Sequence, residues 1–197
     1  MFVRKAFTVL ILSSCFSVCY AQNVSTINGE PIDNKEFMWA YKKNHNGNTN
    51  ASFTDLLSFL TQYTNFKLKV LDAKEMGFDK KPFYKEELKN YENALRARNK
   101  VNYGKKDFEY LLNEYRDGVL MFNISEEKIW SKAQDDEQAL NNYYKLNANN
   151  YSKPLDEIRG QVIADFQENL EAEWIKKLRQ KYNIKINERE INKLAKP

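Results

Sequence analysis

Histidine, cysteine and paired glycines are nearly missing from this chain, and each shortage removes a class of chemistry. The one histidine, His45, lies in the polar, turn-forming stretch N-H-N-G-N-T-N at 44–50. With no second histidine or cysteine to join it, it reads as a solvated loop residue rather than a ligand or general base. The six glycines are scattered singly, so no phosphate-cradling loop is present. Charge of one sign is also lacking: 31 Lys and Arg are interspersed with 27 Asp and Glu, which leaves no one-signed basic face for nucleic acid. The acidic pairs Glu86-Glu87, Glu126-Glu127 and Asp135-Asp136 fall in helices or at helix starts, where water and the helix dipole account for them better than acid–base dyads do. No catalytic residue, metal ligand, cofactor or small-molecule substrate is expected.

The two cysteines, Cys15 and Cys19, sit in a segment with the form of a secretory leader. Arg4 and Lys5 make a positive start, 7–15 is apolar, and Cys19-Tyr20-Ala21 is a small-residue cleavage site before Gln22. The apolar stretch is well short of the roughly 20 residues a spanning helix needs. Cleavage removes both cysteines, so the exported protein depends on packing rather than disulfides. A rival is the lipoprotein-like box Leu12-Ser13-Ser14-Cys15, which would make a lipidated Cys15 the N-terminus and tether the protein to a membrane. The expected location is the periplasm.

What is abundant is aromatic: twelve Phe, twelve Tyr and three Trp. Their spacing predicts a mainly α protein: a helical core braced by a long C-terminal helix, with a two-stranded β element pairing the N- and C-terminal strands. Residues 24–27 are β-branched and end at the turn pair Asn28-Gly29. Asp33 with Glu36 has the form of a capping box for a helix buried through Phe37, Ala40 and Tyr41. Ser52 with Asp55 starts a longer helix, which Gly77 ends. A helix over 82–98 turns Phe83, Leu88, Tyr91 and Leu95 to one side. After a polar connector at 99–106, Phe108, Leu111, Leu112, Tyr115, Val119 and Phe122 form the inner stripe of the next helix. Ser125 is placed as the cap of a helix carrying Ile129, Trp130 and Ala133, and Leu140, Tyr143 and Tyr144 mark another.

The helix over 155–182 repeats Ile158, Val162, Phe166, Leu170, Trp174, Leu178 and Tyr182 every four residues. Each step overshoots a helical turn by about 40°, so the stripe winds about two-thirds of the way round. Its two ends must face different parts of the protein, which makes these residues the brace. Ile184-Lys185-Ile186 alternates like a strand and is the natural partner of 24–27. The organisation expected is a leader at 1–21, an N-terminal helical region at 22–104, a middle helical region at 105–153, and a bracing helix and strand at 154–197. Trp39, Tyr110 and Met121 fall opposite the inner stripes of their helices. Either a neighbouring helix covers them, or they form an aromatic and Met-lined groove for varied apolar segments.

The stretches V-S-T-I-N-G-E-P-I at 24–32, F-K-L-K-V-L-D-A-K-E-M-G at 66–77, E-Y-R-D-G-V-L-M-F-N-I-S at 114–125 and R-G-Q-V-I-A-D-F-Q-E-N-L-E-A-E-W-I-K-K-L-R-Q-K-Y at 159–182, in that order, resemble the SurA-like periplasmic chaperones, a family of parvulin-linked foldases. Members usually carry parvulin prolyl isomerase domains of roughly a hundred residues after the third helix, and often another before the last. Here those places hold only 99–106 and 151–154, and the histidines, cysteine and paired glycines of a parvulin site are missing. The resemblance therefore implies the chaperone core alone, holding unfolded or extended polypeptides such as outer-membrane protein precursors without catalysis. A fixed-partner envelope assembly adaptor, and a peptidyl-prolyl isomerase relative or helper by descent, stay open beside it. The leader reading makes a direct prediction: the intact mass of the exported protein should correspond to an N-terminus at Gln22, and a diacylglyceryl-modified Cys15 would overturn it.

Overall fold

Two adjacent residues in the left-handed region, Asn28 (φ 51°) and Gly29 (φ 89°), close a tight hairpin between β1 (Asn23–Ile27) and β2 (Glu30–Asp33). Positive φ at both positions is what a turn matched to strand twist requires. The computed structural model describes residues 22–98 and 104–196. The segment read as a leader, with Cys15 and Cys19, and most of the 99–106 connector lie outside the described residues. β3 (Ile184–Ile186) pairs antiparallel with β1 on its other side, giving the order β2-β1-β3. The expected pairing of the N- and C-terminal strands is present, but the sheet has three strands, not two. The Asn28-Gly29 turn folds the next four residues back onto β1 instead of releasing them into a loop.

Asp33 caps α1 (Asn34–Asn44), its carboxylate accepting from the Lys35 and Glu36 amides at 2.8 and 3.2 Å. Only half of the expected capping box forms, because the Glu36 carboxylate turns instead to Tyr63 and Lys67. Ser52 and Asp55 make the full reciprocal box at the start of α2 (Phe53–Glu75), and Gly77 (φ 77°) follows its end in the left-handed conformation. α3 (Pro82–Arg98) and α4 (Lys105–Ser125) come next. Ser125 caps nothing: its backbone is helical, and the chain runs from α4 through a π-helical turn, Glu126–Trp130, into α5 (Ser131–Asp135). α6 (Glu137–Leu146) and α7 (Leu155–Lys181) follow, with a kink in α7 at Ile158 (φ −125°, ψ 19°). The chain does not finish on β3. A further helix, α8 (Glu188–Leu194), is capped by Asn187 and packs back on α2 and β1.

α2 runs through the centre, with α1, α4, α7 and α8 against it. The larger core gathers Val24, Ile27 and Ile32 of the sheet with Phe37, Leu56, Leu60 and Leu68, and reaches Leu120, Ile124, Ile129, Trp174, Leu178, Tyr182 and Ile191. A smaller one joins Ala133 and Leu140 to Val162 and Phe166. The larger core crosses position 104, so α4 packs with the N-terminal elements, and only α5 and α6 sit over the smaller core. The four-residue stripe of α7 divides as its rotation requires: Val162 and Phe166 lie in the smaller core, Trp174, Leu178 and Tyr182 in the larger, and Leu170 packs against both.

Buried charges lock these layers. The Asp72 carboxylate on α2 accepts from the Trp174 indole N–H (2.9 Å) and the Lys128 ammonium (2.6 Å), tying α2 to α7 and to the π turn. Truncating a buried aromatic costs about 3–5 kcal/mol. Trp174→Ala also strips Asp72 of a donor, so denaturant unfolding should show a loss at least that large out of a domain's usual stability of about 5–15 kcal/mol. A loss under about 1 kcal/mol would mean that α7 does not brace the larger core.

Candidate functional site

Tyr84 and Leu95 are the buried anchors of α3, and the Tyr84 hydroxyl also donates to the Arg116 carbonyl of α4 at 3.4 Å. The expected inner side of this helix is thereby rotated: Phe83 is exposed and Tyr91 only half-buried. On α4 the expected stripe is divided: Leu112 and Val119 are buried and Tyr115 packs against the larger core, whereas Leu111 is half-buried and Phe122 exposed, and Asp117, Leu120 and Ile124 are buried besides.

Part of this stripe lines a groove of about 560 Å³. Leu111, Tyr115, Val119 and Phe122 of α4 form its floor, Tyr91 and Glu87 of α3 one wall, and Lys43 of α1 the opposite rim, ion-paired with Glu114. The Tyr91 and Tyr115 rings are stacked, with centroids 3.4 Å apart and planes 2° from parallel. The Tyr115 hydroxyl donates to Glu87 at 3.1 Å, and burial together with that carboxylate raises its pKa above the usual tyrosine value. Phe122 is 55% exposed and meets the Trp130 ring edge-on at 5.0 Å. Large rings left this open to water, rimmed by charges, mark a contact surface more often than a defect of packing.

None of the three side chains singled out from the sequence lines this groove. Trp39 and Tyr110 pack against each other across α1 and α4, with centroids 5.6 Å apart and both half-buried, so each is partly covered by the other. The Lys43 ammonium lies 5.5 Å from the Trp39 ring, which places that pair behind the rim. Met121 packs against the larger core and receives a weak bond from the Ser125 hydroxyl at 3.6 Å. Met121 and Tyr110 are both half-buried, so the side of α4 that periodicity assigns to solvent is partly covered. The missed residues, Tyr91, Leu111, Tyr115 and Phe122, were hidden by being apolar at core spacing. One signal for them was available: α4 also carries Leu120 and Ile124, more apolar surface than one neighbour covers.

His45 stacks on Tyr41 at 3.9 Å, and its Nδ1 lies 2.8 Å from the Tyr41 carbonyl, so the imidazole finishes the end of α1. Among the described residues no group of three His, Cys, Asp or Glu could hold a metal ion. A second, smaller cleft of about 150 Å³ at Pro31, Ile32 and α2 contains charges already spent on one another: Lys67 donates to Glu36 (2.9 Å) and Asp117 (2.7 Å), and Tyr63 to Glu36 (2.7 Å). No helix among the described residues is long and apolar enough to cross a membrane. The chain matches no protein-family model, no curated protein and no solved structure.

Burial by itself would raise the Glu36 carboxyl, but the Lys67 ammonium and the bonds from Tyr63 and Lys67 hold it below the ordinary glutamate range. Burial likewise opposes the charge on Lys67, and Asp117 and Glu36 overcome it and lift the ammonium above its usual value. A depressed carboxylate stabilises the fold above its unfolded pKa and loses that contribution as pH falls through the folded value. A raised ammonium does so below its unfolded pKa and loses it as pH rises. The pair therefore contributes fully from about pH 5 to about pH 10. Glu36→Gln should lower the melting temperature at pH 7, and its deficit against wild type should shrink below about pH 4; a deficit that is constant with pH would remove Glu36 from the network.

Proposed function

We propose that the protein is an exported, periplasmic holdase that takes apolar, aromatic-bearing stretches of unfolded polypeptides, outer-membrane protein precursors among them, into the groove between α3 and α4 and does no covalent chemistry. The observation that carries this reading is the groove itself: Leu111, Tyr115, Tyr91 and half-exposed Phe122 in one trough with charged rims. Stacked aromatic walls accept many apolar side chains without a fixed hydrogen-bond pattern, which suits weak binding of varied sequences. The SurA-like order of the four stretches supports the same reading. For a parvulin site the sequence offers one histidine, His45, and it is used at the end of α1.

Tyr91→Ala combined with Phe122→Ser should sharply reduce suppression of aggregation of an unfolded β-barrel protein. Phe122→Ser alone should shift folding stability by less than about 1 kcal/mol, because the ring is mostly outside the core. The purified protein should not speed cis–trans exchange of a proline test peptide, whose barrier of about 18–20 kcal/mol it has no candidate groups to lower. Undiminished suppression by the double variant would remove the groove from the activity. Recovery of one stoichiometric partner from envelope extract, in place of many weakly held chains, would favour the adaptor reading.

A further inference from the structure

The two outer edges of the sheet are not equivalent. The Asn28 N–H donates to the Asn183 carbonyl at 2.8 Å and the Asn187 N–H to the Val24 carbonyl at 2.9 Å. With Thr26 opposite Lys185, these bonds set the phase of the β1–β3 ladder. Lys185 exchanges its backbone bonds with β1, and the N–H and C=O groups of Ile184 and Ile186 point away from it. Among the described residues none of those groups has a hydrogen-bond partner. The same phase argument applied to β2 gives Pro31 and Asp33 as its outward residues, because Ser25 and Ile27 face Ile32 and Glu30. Pro31 has no N–H to offer, a common device for closing an edge to further strands. β3 carries no proline; its protection is its length of three residues and Lys185 at its centre. Its Ile186 side chain is 46% exposed, one of few large apolar side chains left open, and the neighbouring α8 lies against α2 and β1, elements on the inner side of β3.

We infer that the outer edge of β3 accepts an extended segment of the unfolded polypeptide as a fourth strand, read through its main chain at Ile184 and Ile186 and through an apolar side chain laid beside Ile186. This rests on the reading of the protein as a polypeptide holder, and assigns to it a second surface separate from the α3–α4 groove. The complementary chemistry is that of a strand with alternating apolar and polar residues. It offers N–H and C=O groups in register on one edge and a row of apolar side chains on one face. A helical or compact segment offers neither.

Ile186→Pro removes the outward N–H and leaves the β1 ladder intact, since proline is tolerated on an edge strand when its nitrogen faces away from the partner. The full chain is titrated with a fluorescent ten-residue peptide of alternating Val or Tyr and polar residues, and with a copy N-methylated on every second residue along one edge. Expected are affinity about tenfold weaker for Ile186→Pro, little change for Ile186→Val, and a comparable loss when the N-methylated peptide meets the wild-type chain. The Ile184 and Ile186 amides should gain protection from hydrogen exchange when the unmodified peptide binds. Equal binding of both peptides, or amides that stay unprotected, overturns the assignment. If Ile186→Pro does not fold, the N-methylated peptide decides alone. Peptide binding lost in the Tyr91→Ala, Phe122→Ser double variant but kept in Ile186→Pro would leave the groove standing and sink the edge. No binding by the wild-type chain would sink both. A concentration-dependent dimer that Ile186→Pro abolishes, without peptide protection of the amides, would give the edge to a second copy and overturn the peptide assignment.

Discussion

The Asp72 carboxylate is the constraint around which the rest is arranged. It is 6% exposed, sits on the central helix, and receives an indole N–H from α7 and an ammonium from the π turn. A carboxylate in such a place is tolerable only while its donors remain in position, and removing one partner from a buried charged set costs about 3–5 kcal/mol. Trp174 and Lys128 are held in register by it, and the Lys128 ammonium in turn lies 5.4 Å from the Trp174 ring. Because Trp174 belongs to the same helix as Val162 and Phe166, fixing it also fixes where the smaller core can sit. Lys69, buried beside the same indole and paired with Glu171, repeats the device one turn away. Apolar packing alone would permit α7 to slide along α2 by a turn. These directional bonds do not.

The π turn is what lets α4 serve two surfaces. Ile124 and Ile129 are five residues apart and both are fully buried. On an uninterrupted α-helix they would stand about 140° from each other. A turn that hydrogen-bonds five residues ahead brings them onto one side. It also sets Trp130, a ring that belongs to the far side of the turn, edge-on to Phe122. Leu111 and Phe122 on the groove face can then stay open, while Leu120, Ile124 and the π turn supply the larger core, and Val119 belongs to both.

Much of this architecture can be read from residue types whose effect is local. The Ser52-Asp55 cap, the Gly77 stop, Pro82 at the start of α3 and the β1–β3 pairing follow from hydrogen bonding and backbone freedom within a few residues. The winding stripe of α7 is legible for a related reason: a four-residue repeat has one geometric consequence on a helix, whatever it touches. The site is not legible in this way. Periodicity finds an apolar face but cannot say what covers it, so Phe122 passes for core and half-buried Met121 for open surface. Glu36 was assigned to its own helix end and is instead drawn across to Lys67 and Tyr63, from residues about thirty positions away, a choice that only the tertiary fold makes.

The same distinction explains why the sheet edges become informative only with register in hand. From sequence, Pro31 and Ile186 are ordinary members of short β-branched or turn-rich stretches. Which backbone groups point outward depends on a phase that the Asn28–Asn183 and Asn187–Val24 bonds fix, and a slip of one residue would exchange every inward and outward group. In the phase the fold adopts, the proline falls where an outward N–H would otherwise be, and the isoleucines fall where nothing covers them. The shortness of β3 and Lys185 at its centre limit pairing with copies of the chain, while its outward main-chain groups remain without the proline that closes the β2 edge. On the proposed reading the aromatic groove would select by side chain and the open edge by backbone conformation, and two selections of different kind on one frame would tell an extended chain from a folded protein more sharply than either alone.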